Sequence, residues 1–177
     1  MSALLLLTSG DFQVQKGQKG DIMCHGIPGF SLILFYSTHC VHCQNLTPIF
    51  KKLPGTITGC QFGMINVSTN GACIAMSKNT IAPIKFVPYL VLYVNGKPYM
   101  IYQGPHDINE IKRFVFEVGN SFDKRQKFSS NPKDKEVNKG SVNKQHESGC
   151  TEGIPIYGDN SDQVCYLENQ EAYPTTR

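Results

Sequence analysis

A chain of 177 residues, 40% of them hydrophobic and 10% aromatic, is long enough for one domain with a real core plus an appendage, and too short for two large domains. Only 18% of residues are charged and the formal charge of +3 is spread rather than blocked, so neither nucleic acid nor an anionic membrane finds electrostatic support. No apolar run approaches the roughly 18 residues that span a bilayer, which argues against membrane insertion.

The leucine run at residues 3–7 lacks a basic segment before it and a small-residue cleavage site after it, so it reads as a first strand rather than a signal peptide. SLILFYS, residues 31–37, is an apolar run with aromatic members that suits a buried central strand. Leu46, Ile49, Phe50 and Leu53 then fall at helical spacing, and the helix they predict ends at Pro54-Gly55. FGMINV (62–67) predicts a second buried strand, and residues 72–81 a short helix or irregular turn. Strands over 89–94 and 99–103 flank Asn95-Gly96, a strong tight-turn signal, and should form a hairpin. Residues 107–118 place Ile108, Ile111, Phe114, Val115 and Val118 on one helical face, with Asp107 as cap.

After Gly119 the composition changes. Residues 120–149 are rich in Asn, Ser, Lys and Gln, and reads as a flexible linker whose burial could not offset its ordering entropy. Beyond it, IPIY (154–157) and VCYL (164–167) flank Gly158-Asp159-Asn160 and suggest a terminal hairpin within residues 150–177. The folded domain is thus residues 1–119, and the order β, β, α, β, α, β, β, α points to an α/β architecture around a mixed sheet.

Seven cysteines are many for this length, but the number is odd and one close pair stands out, Cys40 and Cys43. That pattern favours a reducing setting and a redox pair over a secreted disulfide framework. His39-Cys40-Val41-His42-Cys43 holds four potential metal ligands, yet sequence neighbours cannot all converge on one ion and no second Cys-X-X-Cys completes a tetrahedral site. Gln44 after Cys43 breaks the haem-attachment pattern. Cys24, Cys60 and Cys73 read as buried small apolar residues, with a regulatory thiol near the groove as the other reading of Cys73. Cys150 and Cys165 would bridge the terminal hairpin if their Cα atoms come within reach. His25, His106 and His146 are read as solvent-facing or loop residues.

Residues 3–119 resemble thioredoxin and protein disulfide isomerase domains. Cys40-Val41-His42-Cys43 follows an apolar strand and opens a helix; Pro48 lies five residues after the second cysteine; Phe86-Val87-Pro88 precedes a strand and Asn95-Gly96; Gly104 precedes the last helix. FYSTHCVHCQ, MINVS and YVNGKPYM are similar to segments of thioredoxin-like proteins encoded by large DNA viruses. The resemblance implies a thioredoxin fold with a polar C-terminal extension, and a thiol-disulfide oxidoreductase acting on protein cysteines without metal or organic cofactor. A helix N-terminus lowers a cysteine's pKa, which makes Cys40 the expected exposed nucleophile and Cys43 the resolving thiol. His42 would stabilise the Cys40 thiolate and make the disulfide more oxidising. Pro88 is expected cis, with Val87 and Gly104 presenting a substrate peptide. Implied partners are cysteine-containing protein substrates and a recycling oxidase or reductase, in a cytoplasmic or virion-associated setting.

Two departures qualify that picture. His39 stands where the family has Trp, and Leu34 and Met64 stand where the family's buried carboxylate and lysine move the resolving thiol's proton. A non-catalytic thioredoxin-fold interaction protein, docking onto virion proteins through its C-terminal tail, is the rival reading.

Overall fold

The computed structural model describes residues 3–129, 153–155 and 165–166. Strands β1 (Leu4–Leu6), β4 (Phe30–Tyr36), β5 (Cys60–Asn66), β7 (Tyr89–Val94), β8 (Lys97–Tyr102) and β9 (Gly153–Pro155) form a six-stranded sheet in the order β1-β5-β4-β7-β8-β9. The β1–β5 and β4–β5 pairs are parallel; β7 runs antiparallel to β4 and to β8, and β9 antiparallel to β8. The sheet is therefore mixed, as expected.

Central β4 is apolar throughout because both its faces are covered. Ile33 and Phe35 join a cluster with Ile65, Val91 and Tyr93 on one face. Leu32 and Leu34 face the other, with Phe62, Met64 and Leu92. Helix α1 (Val41–Phe50) contributes Leu46 and Phe50 to the second cluster, and α3 (Ile108–Ser129) contributes Ile111, Phe114 and Val118. The short helix α2 (Gly71–Ser77) lays Cys73 and Ile74 on the first face. The observed α1 stops at Phe50, short of the expected end, though Leu53 is still fully buried.

Three strands have no counterpart in the sequence reading. Strands β2 (Phe12–Lys16) and β3 (Asp21–His25) make a separate antiparallel hairpin, and β6 (Phe86–Val87) precedes β7. In β2 only Phe12 is buried, and its apolar alternation is limited to Phe12 and Val14, too short to mark a strand.

Helix α3 also corrects a boundary. It continues through Gly119 to Ser129, so residues 120–129 of the expected linker are helical. Phe122 explains the extension: its ring meets Phe30 and Tyr99 edge-on at centroid distances of 5.4 and 5.6 Å, giving the added turns a tertiary anchor that outweighs weak local propensity. Residues 130–149 of the linker lie outside the described residues. The tail is corrected as well. β9 pairs with β8, and β10 (Cys165–Tyr166) pairs with β6, so these described parts of the expected hairpin join the domain rather than each other. The remaining hairpin residues lie outside the described ones.

The Asn95-Gly96 turn forms as expected, with φ of 49° and 75°. Gly96 is required twice over. A Cβ there would stand 1.9 Å from the carbonyl oxygen of His25, whose N–H donates to the Gly96 carbonyl at 3.0 Å. His25 is thus not solvent-facing: it is 6% exposed, its Nδ1 accepts the Ile27 N–H at 3.1 Å, and its Nε2 lies 3.3 Å from Ser31 Oγ. Burial lowers its pKa to about 4, against a smaller opposing pull from Asp11.

Two outcomes follow from this corner. Gly96→Ala should cost about 3 kcal/mol or more in urea unfolding, because the clash is with backbone and the turn needs positive φ. His25 binds its proton more readily unfolded than folded. Its contribution is complete above about pH 6.5 and drains away as pH falls towards 4, by roughly 3 kcal/mol. Urea unfolding at pH 7 and pH 4 should show wild type losing that much more than His25→Gln; parallel losses would contradict it.

Candidate active site

The turn between β4 and α1 places two sulfurs at the helix start. Cys40 is the N-cap residue, in extended conformation, and its Sγ accepts the Cys43 N–H at 3.4 Å. The turn is held by Cys40 N–H to the Ser37 carbonyl at 3.3 Å and by Gln44 Nε2 to the Thr38 carbonyl at 2.9 Å. Unpaired N–H groups and the helix dipole thus meet at the Cys40 sulfur.

Cys40 was expected to be exposed, and it is not: only 4% of its surface is accessible. It packs in the apolar cluster with Phe35, Cys43 and Val87. Cys40 is disulfide-bonded, whereas Cys43 is a free thiol, as are Cys24, Cys60 and Cys73. Its sulfur therefore has no proton to donate, and its 3.6 Å approach to the Val87 carbonyl oxygen is a contact rather than a hydrogen bond.

Cys43 lies one turn further in, fully buried. Burial pushes its thiol up to about 11, only partly opposed by the Ser37 N–H, which donates to Sγ at 3.5 Å. Ser37 is itself fixed, its hydroxyl 2.7 Å from that of Ser68 and accepting the His39 N–H at 3.2 Å. Among the described residues no charged side chain bears on the Cys43 thiol. Leu34 and Met64 stand opposite each other in the β4–β5 register, both buried in the apolar cluster shared with α1 and α3.

The Val87-Pro88 peptide bond is cis, and both residues are buried. Cys40, Cys43 and the Val87 carbonyl are thereby brought together, with Pro88 adjoining. His42 is half-buried on α1, and so is His106 in the loop before α3. Burial lowers the pKa of His106, and the charge of His42 pushes it the same way. Only its position two residues after Gly104 could have drawn attention to His106. Ser37 gave no signal either, because it acts on Cys43 through its backbone.

Cys24, Cys60 and Cys73 are all buried. Burial raises Cys24 and pushes Cys60 and Cys73 to about 12, which removes the regulatory reading of Cys73 at neutral pH. Among the described residues no three His, Cys, Asp or Glu side chains are grouped to hold a metal ion. No helix there is long and apolar enough to cross a membrane.

The family model described as Thioredoxin matches residues 27–117. The chain is similar to the uncharacterized protein 196R of Invertebrate iridescent virus 6, with 37% identity over 147 residues that cover 83% of this chain and 76% of that protein. It is also similar to the uncharacterized protein 020R of Invertebrate iridescent virus 3, 30% identical over 174 residues and 96% of each chain. Protein disulfide isomerase-like 2-3 of Oryza sativa subsp. japonica is 35% identical over 90 residues, 49% of this chain but 19% of the plant protein, so the chain spans about a fifth of that relative.

The burial of Cys43 has a measurable signature. In Cys40→Ser, iodoacetamide labelling of Cys43 should accelerate about tenfold per pH unit through neutral and mildly alkaline pH, since the thiolate fraction grows up to a pKa of about 11. A plateau near pH 8 would mean a second group ionises this thiol.

Proposed function

The chain belongs to the thioredoxin family, and on that premise we propose that it is a thiol-disulfide oxidoreductase acting on protein cysteines through Cys40 and Cys43. One observation carries the reading: the sulfur at the N-cap of α1, fed by the Cys43 N–H at 3.4 Å, is engaged in a disulfide while the thiol one turn later is free. That is the pairing expected of an attacking and a resolving cysteine caught between the two steps.

The cycle uses this chain's own groups. The Cys40 thiolate attacks a substrate disulfide, forming a Cys40–substrate bond and releasing one substrate thiolate. Cys43 gives its proton to water or to His42, attacks Cys40 Sγ, and expels the second substrate thiolate. The products are a Cys40–Cys43 disulfide and a reduced substrate; a reduced dithiol runs the same steps backwards to oxidise one. Val87, Pro88 and Gly104 are the proposed peptide-presenting positions, where an extended segment can pair with the Val87 backbone. A recycling oxidase or reductase closes the cycle.

The apolar pair Leu34 and Met64 shapes the kinetics. With no carboxylate or lysine there to carry the Cys43 proton, the second step is the slow one and mixed disulfides last. His42 works in the other direction, stabilising the Cys40 thiolate and raising the potential of the pair.

A second reading is favoured by that same apolar pair: a non-catalytic interaction protein, virion-associated, that keeps the fold and holds partners through lasting contacts. Insulin reduction and oxidation of a reduced test protein separate the two. Cys40→Ser should abolish both activities, and Cys43→Ser should accumulate mixed disulfides well above wild type; equal activity in wild type and Cys40→Ser would leave only the interaction reading. The reduction potential should lie above about −230 mV, against roughly −270 mV for thioredoxin.

A further inference from the structure

Ser37 stands where the central sheet ends and the site begins. The β4–β5 ladder closes with the Val67 N–H on the Tyr36 carbonyl at 2.8 Å. One residue on, the backbone of Ser37 is given over to the two cysteines: its N–H donates to Cys43 Sγ at 3.5 Å and its carbonyl accepts the Cys40 N–H at 3.3 Å. Neither the β4–β5 nor the β4–β7 register includes Ser37, so its side chain has to hold it. The residue is 8% exposed, and its Oγ accepts the His39 N–H at 3.2 Å and lies 2.7 Å from Ser68 Oγ. Ser68 is exposed yet anchored. Its N–H donates to Asn66 Oδ1 at 3.1 Å, Asn70 Nδ2 donates to the Asn66 carbonyl at 3.0 Å, and Asn70 Oδ1 accepts the Ser9 N–H at 3.1 Å. The hydroxyl pair therefore joins the bend that carries the cysteines to a loop fixed by its own hydrogen bonds.

We propose that Ser37 and Ser68 are positioning residues for the resolving thiol: their hydroxyl bond keeps the Ser37 amide aimed at Cys43 Sγ and so supports the thiolate that attacks Cys40. The inference rests on the oxidoreductase reading for the step it serves, but not for its effect on the thiol. A hydrogen bond to the charged form favours ionisation, whereas burial opposes it. At Cys43 the Ser37 amide is the influence that acts in favour. Such a bond weakens steeply as the donor turns away, so an amide in a bend between strand and helix serves only while the bend is held. In the step itself the Cys43–Cys40 bond forms as the Cys40–substrate bond breaks, and the substrate sulfur leaves as a thiolate; Ser37 and Ser68 exchange no proton or electron. A supported thiolate is also a weaker nucleophile, but with a Brønsted slope of about 0.4–0.5 the gain in ionised fraction prevails.

The test uses the full chain carrying Cys40→Ser, with iodoacetamide labelling of Cys43 read by fragment mass spectrometry. Cys43 and the buried Cys24 share tryptic peptide 20–51, so rates are taken relative to Cys24 and a general loosening of the core cancels. Adding Ser68→Ala, at an exposed position away from the sulfur, should slow Cys43 labelling about threefold or more between about pH 7 and pH 9. Ser37→Ala should slow it likewise, and Ser68→Thr, which keeps the hydroxyl, should label at the parent's rate. A pair that only braced the bend would do the reverse, because local opening lets the reagent in and speeds labelling. With Cys40 restored, Ser68→Ala should lengthen the life of mixed disulfides by about the same threefold factor. Labelling in Ser68→Ala as fast as the parent's or faster, slowing that persists in Ser68→Thr, or an unchanged mixed-disulfide lifetime would each overturn the proposal. Slowed labelling in a chain whose wild type has no exchange activity would overturn the oxidoreductase reading and leave the support of Cys43 by Ser37 and Ser68 standing.

Discussion

The site depends on a helix that begins at a sulfur. Because Cys40 caps α1, the first turn satisfies a backbone N–H with Sγ rather than with a side-chain oxygen, and the positive end of the helix is spent on that atom. The position is enforced from behind by β4, which is buried on both faces and cannot shift register without turning its apolar residues out of the core. One turn along, Cys43 has no such support. Burial dominates there, and among the described residues the Ser37 amide is the polar group on its sulfur, so the two sulfurs of one motif sit in different electrostatic conditions. Both sulfurs are buried, and what separates them over a single turn of helix is the backbone N–H that Cys40 receives at the helix start.

The opposite faces of β4 serve different ends. One face carries Phe35 and shares its core with Cys40, Cys43 and Val87. The other carries Leu34 against Met64 and the apolar stripes of α1 and α3. Keeping Leu34 and Met64 apolar avoids burying a lone charge, which would cost several kcal/mol if only one of the usual polar pair were present. The pair thus adds to the apolar support beneath α1 and α3.

How much of this was legible depended on whether the signal was local. β4, α1 and the β7–β8 hairpin were readable because an apolar run, a helical stripe and an Asn-Gly turn each announce themselves over a few residues. β2 was not, since Gln13, Val14, Gln15 and Lys16 are all exposed and the strand is held by pairing with β3 rather than by burial. The far end of α3 was missed because its anchor, Phe122 on Phe30 and Tyr99, joins residues distant in sequence. At the site, Cys40, Cys43 and Val87-Pro88 could be read in register from a family pattern. The state of the sulfurs could not: that Cys40 is bonded and buried and that Ser37 holds Cys43 by its amide are tertiary facts.

The quiet surroundings of Cys43 have a consequence for how the protein could be tuned. With burial as the main influence on that sulfur, ionic strength has little to screen there. Control would have to be mechanical. The hydroxyl pair Ser37–Ser68 ties the bend before α1 to the end of β5, and a displacement of that tie would change how far water reaches the thiol.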